Sequence, residues 1–115
     1  MSNAARSKGT RGERAARLLF QDRDWEVHQR PRGEAGDDFT AIDKDGTVWS
    51  VEVKHTKSIM FNMLCQAKRN APKNRGFILC WHPSGWGLPA NLWVLFIYPK
   101  GERPYVRSWM GKELG

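Results

Sequence analysis

Residues 36–55 read GDDFTAIDKDGTVWSVEVKH, and this stretch decides the fold. Two runs rich in β-branched and aromatic residues, FTAI and TVWSVEVK, flank the turn signal KDG, which is the pattern of a β-hairpin. The second run alternates. Thr47, Trp49, Val51 and Val53 share one face, while Val48, Ser50, Glu52 and Lys54 share the other. Opposed residues of an antiparallel pair point to the same face, so the loop length sets which acid meets Glu52. A two-residue Asp45-Gly46 turn would put Asp38 opposite Val53. A three-residue loop, Lys44-Asp45-Gly46, puts Asp43 opposite Thr47, Thr40 beside Ser50 and Asp38 opposite Glu52, and it sorts apolar from polar residues better. The expectation is therefore the longer loop, a positive φ at Gly46, Asp38 beside Glu52, and Asp37 turned away.

Hydrolysis of a phosphodiester calls for a divalent cation held by oxygen ligands, and for a positive group near the attacking water. Glu52 and Lys54 project side by side from one strand face, and Asp38 on the neighbouring strand supplies a second acid. With Asp38, thirteen intervening residues and then Glu52-Val53-Lys54, the hairpin resembles the PD-(D/E)XK nucleases. Their motif is an acid at the start of one strand and Glu-X-Lys on the next. The proline that precedes the first acid in that motif is replaced here by Asp37. Glu-X-Lys by itself is a weak signal, since such a pair on a strand face most often marks a solvated surface.

The rest of the chain bears on that choice. At 115 residues with a formal net charge of +7 and a pI near 9.9, it is the size of one domain and suits a polyanionic partner such as nucleic acid. Yet Asp37, Asp38, Asp43 and Asp45 crowd into nine residues, a block that a phosphate-binding protein has reason to avoid unless a cation sits there. Cys65 and Cys80 lie in apolar runs without a spacing partner and read as buried thiols of a reducing compartment. The opening residues show no signal peptide, and the longest apolar run, LWVLFIY, is too short for a bilayer. The expectation is a cytoplasmic, DNA-associated protein with no membrane contact.

Residues 1–9, MSNAARSKG, read as a flexible basic arm, and residues 10–115 as a single domain. TRGERAARLLFQD from Thr10 patterns as a helix, with Ala15, Leu18, Leu19 and Asp22 on one side and Arg11, Arg14 and Arg17 on the other. Glu13 has two readings. Thr10 and Glu13 have capping-box spacing, whereas KGTRGERAARLL resembles the opening of small archaeal Holliday-junction resolvases, whose first-helix glutamate reaches the metal. Trp25–Arg30 alternates as a strand, and the loop that follows lacks the catalytic serine or threonine of those resolvases. Residues 58–70 pattern as a second helix ending before Pro72. Gln66 on it either orients substrate, as polar residues on that helix do in the nucleases, or is an exposed helical side chain. GFILCWH reads as a strand buried on both faces, LWVLFIY and YVRSW as further strands, and the Trp86 loop as surface. Trp86 either stacks on a base or packs over the core edge. His28, His55 and His82 have no zinc spacing and read by default as structural or surface side chains, with contact to a phosphate the alternative for His55, next to Lys54.

The resemblance covers roughly residues 8–82 and implies an α/β fold with a restriction-endonuclease-like core, a mixed central β-sheet flanked by helices. It implies a Mg²⁺-dependent DNA endonuclease, with Mn²⁺ a substitute. Asp38, Glu52, the Val53 carbonyl and Glu13 would hold the ion, and Lys54 would hold the attacking water. DNA contacts would come from Lys8, Arg11, Arg14, Arg17, His55, Lys57, Gln66, Lys68, Arg69, Lys73 and Arg75. Branched DNA and a homodimer follow from likeness to the resolvases. Two other classes stand beside this one: a catalytically silent DNA-binding module of the same fold, and a small basic RNA-binding or assembly protein without divalent-ion binding.

Overall fold

A computed structural model describes residues 3–31, 34 and 36–112, with side chains from residue 12 onward. The hairpin is its centre. Strand β2 (Phe39–Ile42) pairs antiparallel with β3 (Val48–Thr56) in the register Phe39↔Val51, Thr40↔Ser50, Ala41↔Trp49. Asp43 donates its N–H to Thr47 at 3.0 Å, and Gly46 has φ 83°, so the connection is the three-residue loop expected from the sequence. Asp43 does not join an acid cluster. Its carboxylate accepts the N–H groups of Asp45 and Thr47 at 2.9 Å and the Trp49 indole N–H at 3.1 Å, which organises the turn.

On one side β1 (Glu26–Gln29) continues the meander by pairing with β2. On the other, β3 leads through helix α2 (Phe61–Asn70) to β4 (Gly76–Pro83), which lies parallel to β3. A parallel neighbour needs such a crossover. Strands β5 (Leu92–Tyr98) and β6 (Tyr105–Met110) then add antiparallel, giving a six-stranded mixed sheet in the order β1-β2-β3-β4-β5-β6. The protein is thus an α/β fold with one helix on each sheet face. Among the described residues no helix is long and apolar enough to cross a membrane.

Helix α1 (Asn3–Gln21) begins well before Thr10, so residues 3–9, expected as an arm, have helical backbone, while residues 1 and 2 lie outside the described residues. Thr10 therefore sits inside a helix and is no N-cap, which removes the capping-box reading of Glu13. The buried stripe is also rotated from the expected one. Ala16, Leu19 and Phe20 are buried, while Leu18 is half exposed. They pack on Phe39, Ala41, Trp49, Val51, Ile78, Cys80 and Leu95. Phe20 is the hub, edge-on to Trp25, Phe39 and Trp109 at 5.0, 5.6 and 5.1 Å. Because Trp25 precedes β1 and Trp109 lies on β6, their approach to 6.0 Å shows that the sheet curls around α1. The opposite face has a smaller cluster, where Ala67 of α2 meets Phe77 and Leu79. Helix α2 begins at Phe61 rather than Ser58, behind an extended Met60 that makes no side-chain cap.

Candidate active site

Beyond Phe39 the β2–β3 ladder ends, and the chain uses the freed groups. Asp38 donates its backbone N–H to the Val51 carbonyl at 2.9 Å, and its Oδ2 accepts the Val53 N–H at 2.7 Å. The carboxylate is thereby pinned against β3 at Glu52-Val53-Lys54. A strand residue directs its N–H and C=O to the same side, so the Val53 carbonyl also points past the end of β2.

Glu52 sits on the polar face under α2 and is only 6% exposed. Its Oε2 is buried and, among the described residues, has no hydrogen-bond partner. Burial and then the charge of Asp38 push its carboxyl up to about 7, against the pull of Lys54 and of a hydrogen bond from Asn70. Asp38 is also raised, first by burial and further by Asp37, with the Val53 N–H and Lys54 opposing. Glu13 is raised by burial and then by Asp38, which places the first helix within electrostatic reach of the acids, and Arg17 stands 4.0 Å from Glu13. Lys54 donates to Gln66 Oε1 at 3.3 Å. Gln66 is an exposed helical side chain, as one of its two readings has it, and its Oε1 accepts from Lys54.

Asp37 departs from expectation. It is buried rather than turned away, and its Oδ2 accepts the hydroxyl of Ser50, a residue on the same strand face as Glu52. Arg30 donates to its Oδ1 from Nε at 3.0 Å and Nη2 at 2.7 Å, two charge-assisted bonds that converge on one oxygen. Gly36, at φ 132°, permits the approach, since a Cβ there would stand 2.7 Å from the guanidinium carbon. The two adjacent aspartates thus differ: Asp37 is ion-paired with Arg30, whereas Asp38 is pinned against β3 beside Glu52.

The basic residues scatter more than expected. His55 lies on the apolar face of β3, its ring 4.4 Å from that of His82, away from Lys54. Lys57 is exposed beyond the strand, and its carbonyl accepts the Trp86 indole N–H, which holds that exposed tryptophan to the loop surface. Arg14 is exposed and Arg17 half-buried, while the side chains of Lys8 and Arg11 lie outside the described residues. Lys68, Arg69 and Lys73 are exposed around the end of α2, and Arg75 donates to Thr40 Oγ1 at 3.3 Å. Sequence reasoning missed Asn70, Arg30 and Ser50. Only Ser50 carried a signal, its place in the polar alternation.

Among the described residues no three His, Cys, Asp or Glu side chains stand close enough together to hold a metal by themselves. Mg²⁺ does not require three. It is commonly bound by one or two carboxylates, completed by water and substrate phosphate. The orphaned Glu52 oxygen, its raised pKa and the neighbouring Asp38 carboxylate fit a small hard cation. Comparison with protein-family models, with curated proteins and with solved structures finds no match to the chain, and the site is read from its own geometry.

Proposed function

We propose that the protein is a Mg²⁺-dependent DNA endonuclease of the PD-(D/E)XK type, built on a restriction-endonuclease-like core. One observation carries the reading: a buried glutamate with an oxygen that has no partner among the described residues, its carboxyl raised to about 7, lies within electrostatic reach of a second, pinned carboxylate, with Lys54 two residues along the same face. Burying such a pair without a counter-ion is unfavourable, and active sites are where that cost is tolerated.

Asp38 and Glu52 would hold the ion, with the Val53 carbonyl beside them and Glu13 at the rim; Mn²⁺ would serve as well. When bound, the ion supplies Lewis-acid polarisation of the phosphoryl oxygens. Lys54, steadied by Gln66, orients the attacking water and offsets negative charge building on phosphorus. Asn70 favours the charged form of Glu52, against the burial that raises it. Arg30 and Ser50 hold Asp37 in place behind the two ligands, and its charge adds to the rise of both carboxyls. Branched DNA ranks first among substrates and a homodimer among assemblies, both on the likeness to the small resolvases.

The test is incubation of a four-way junction, a plain duplex and a single strand with wild type or Glu52→Ala, in Mg²⁺ or in EDTA. The reading expects cleavage of at least one substrate by wild type in Mg²⁺ alone. Cleavage that persists in EDTA, or equal cleavage by the variant, would remove the mechanism, and binding without cleavage would favour the silent DNA-binding module.

A further inference from the structure

The face of α2 turned away from the acids walls a second feature. A groove of about 550 Å³ runs between α2 and the β4–β5 edge, with an apolar lining from Phe61, Leu64, Phe77 and Tyr98. Phe77 and Tyr98 are stacked at 4.6 Å with planes 7° apart. Phe61, the first residue of α2, is 81% exposed, although burial is the ordinary fate of a phenylalanine. The rim holds Lys68, Lys73, Arg75 and Lys100 and, among its lining residues, no acid. In a protein that carries twelve Asp and Glu, an apolar groove edged only by cations is selective for a ligand with flat apolar surface and negative charge.

We infer that this groove binds an unstacked nucleotide of a DNA single strand, its base against Phe61 and its flanking phosphates on Lys68, Lys73 and Lys100. Aromatic side chains beside a cationic track are how single strands are held without regard to sequence. Position favours nucleic acid over an acidic peptide. Arg75 lines the groove and also reaches Thr40 on β2, the residue paired with Ser50 and so beside the acids. Helix α2 faces both ways, with Gln66 and Asn70 toward the carboxylates and Phe61, Leu64 and Lys68 toward the groove. A strand leaving the acids crosses Arg75 and enters it. The inference rests on the nuclease reading for its choice of polyanion, and it makes the preferred substrate one with unpaired nucleotides beside the cut.

The test uses the whole protein in EDTA, so that binding is read apart from cleavage. A short single strand carrying 2-aminopurine is titrated against wild type, Phe61→Ala and Phe61→Trp. Stacking predicts quenching by wild type, a loss of about tenfold or more in affinity with loss of quenching in Phe61→Ala, and recovery of both in Phe61→Trp. The wild-type thiols give a second readout. Cys65 lines the groove while Cys80 is wholly buried, so the bound strand should slow alkylation of Cys65. Unchanged affinity and quenching in Phe61→Ala, or equal protection of Cys65 by polyglutamate, would overturn the inference. Quenching and protection in a protein that cleaves nothing in Mg²⁺ would uphold the groove and sink the nuclease, and cleavage without them would do the reverse.

Discussion

The two faces of β3 come from alternate residues of one strand, yet they have opposite physical characters. Trp49 and Val51 are buried under α1 in a continuous apolar cluster. Ser50, Glu52 and Lys54 face a helix of ten residues that seals only part of the surface. There Glu52 is 6% exposed, as buried as Trp49 on the other face of the strand, but one of its oxygens has no partner among the described residues. Burial on the first face stabilises the fold. On the second it raises carboxyl pKa values, and the fold tolerates this because the first face is so well packed. Stability and chemistry are therefore separable by substitution on one strand.

The largest effect that would break this separation is on activity. Glu52→Ala should lower cleavage in Mg²⁺ by about a thousandfold or more, while DNA affinity stays within a few-fold, because phosphate contacts set affinity and the ion's ligands set chemistry. Gel cleavage assays and fluorescence anisotropy measure the two quantities. A parallel fall in affinity would mean that Glu52 shapes the binding surface as well.

The opposite face should behave in reverse. Phe20 is fully buried and edge-on to three aromatic rings, so Phe20→Ala should cost about 3–5 kcal/mol, a large share of a small domain's stability. Chemical denaturation would show the midpoint falling, with cleavage by the remaining folded fraction unchanged. A loss below about 1 kcal/mol would show that α1 packs loosely and that the first face does not hold the structure.

How much of this contrast could be read from sequence depends on whether the information was local. The hairpin register was legible, because alternation and the Asp-Gly signal are confined to a dozen residues and a one-residue slip would have put Asp38 on the apolar face. The strands β4 and β5 were legible as unbroken apolar runs. The ion pair of Arg30 with Asp37 was not. It depends on where a loop arginine lands after the meander closes, and on Gly36 leaving room for it. Nor was Asn70, a helix-end residue whose reach to Glu52 follows from how α2 crosses the sheet. His55 adjoins Lys54 in sequence, but strand alternation sends it to the other face, where its ring meets that of His82. The N-terminal start of α1 was missed because its small polar and basic residues lack an apolar period.

A smaller effect sharpens the electrostatic half of the comparison. Glu52 is raised from an ordinary glutamate value to about 7, so between about 4.5 and 7 the folded protein keeps a proton that the unfolded chain has lost. Stability attributable to this group is therefore present at low pH and falls as pH rises through that window. Glu52→Gln does not titrate. In EDTA at pH 8 it should be more stable than wild type by about 3 kcal/mol, and the gap should close near pH 4.5. Asp38 and Glu13 are raised in the same sense, but both remain in the variant, so the difference isolates Glu52. Denaturation curves at both pH values decide it. A variant less stable than wild type at pH 8 would show that Glu52 is stabilising as a charge.

The smallest effect concerns the helix that seals the apolar face and still turns one side outward. Arg14 is exposed, whereas Arg17, one turn along, is half-buried and 4.0 Å from Glu13. An arginine committed to a glutamate has less charge to offer a phosphate, so the two should respond differently although the sequence presents them alike. If DNA lies along this flank, Arg14→Ala should lower the slope of log affinity against log salt by about 0.9, the value for one phosphate contact, and weaken all sequences equally. Arg17→Ala should change the slope less, and it should shift the pH profile of cleavage by removing the cation that lowers the Glu13 pKa. Equal slopes for wild type and Arg14→Ala would move the DNA off α1 and onto the α2 side, where Lys68 and Lys73 stand exposed along the groove.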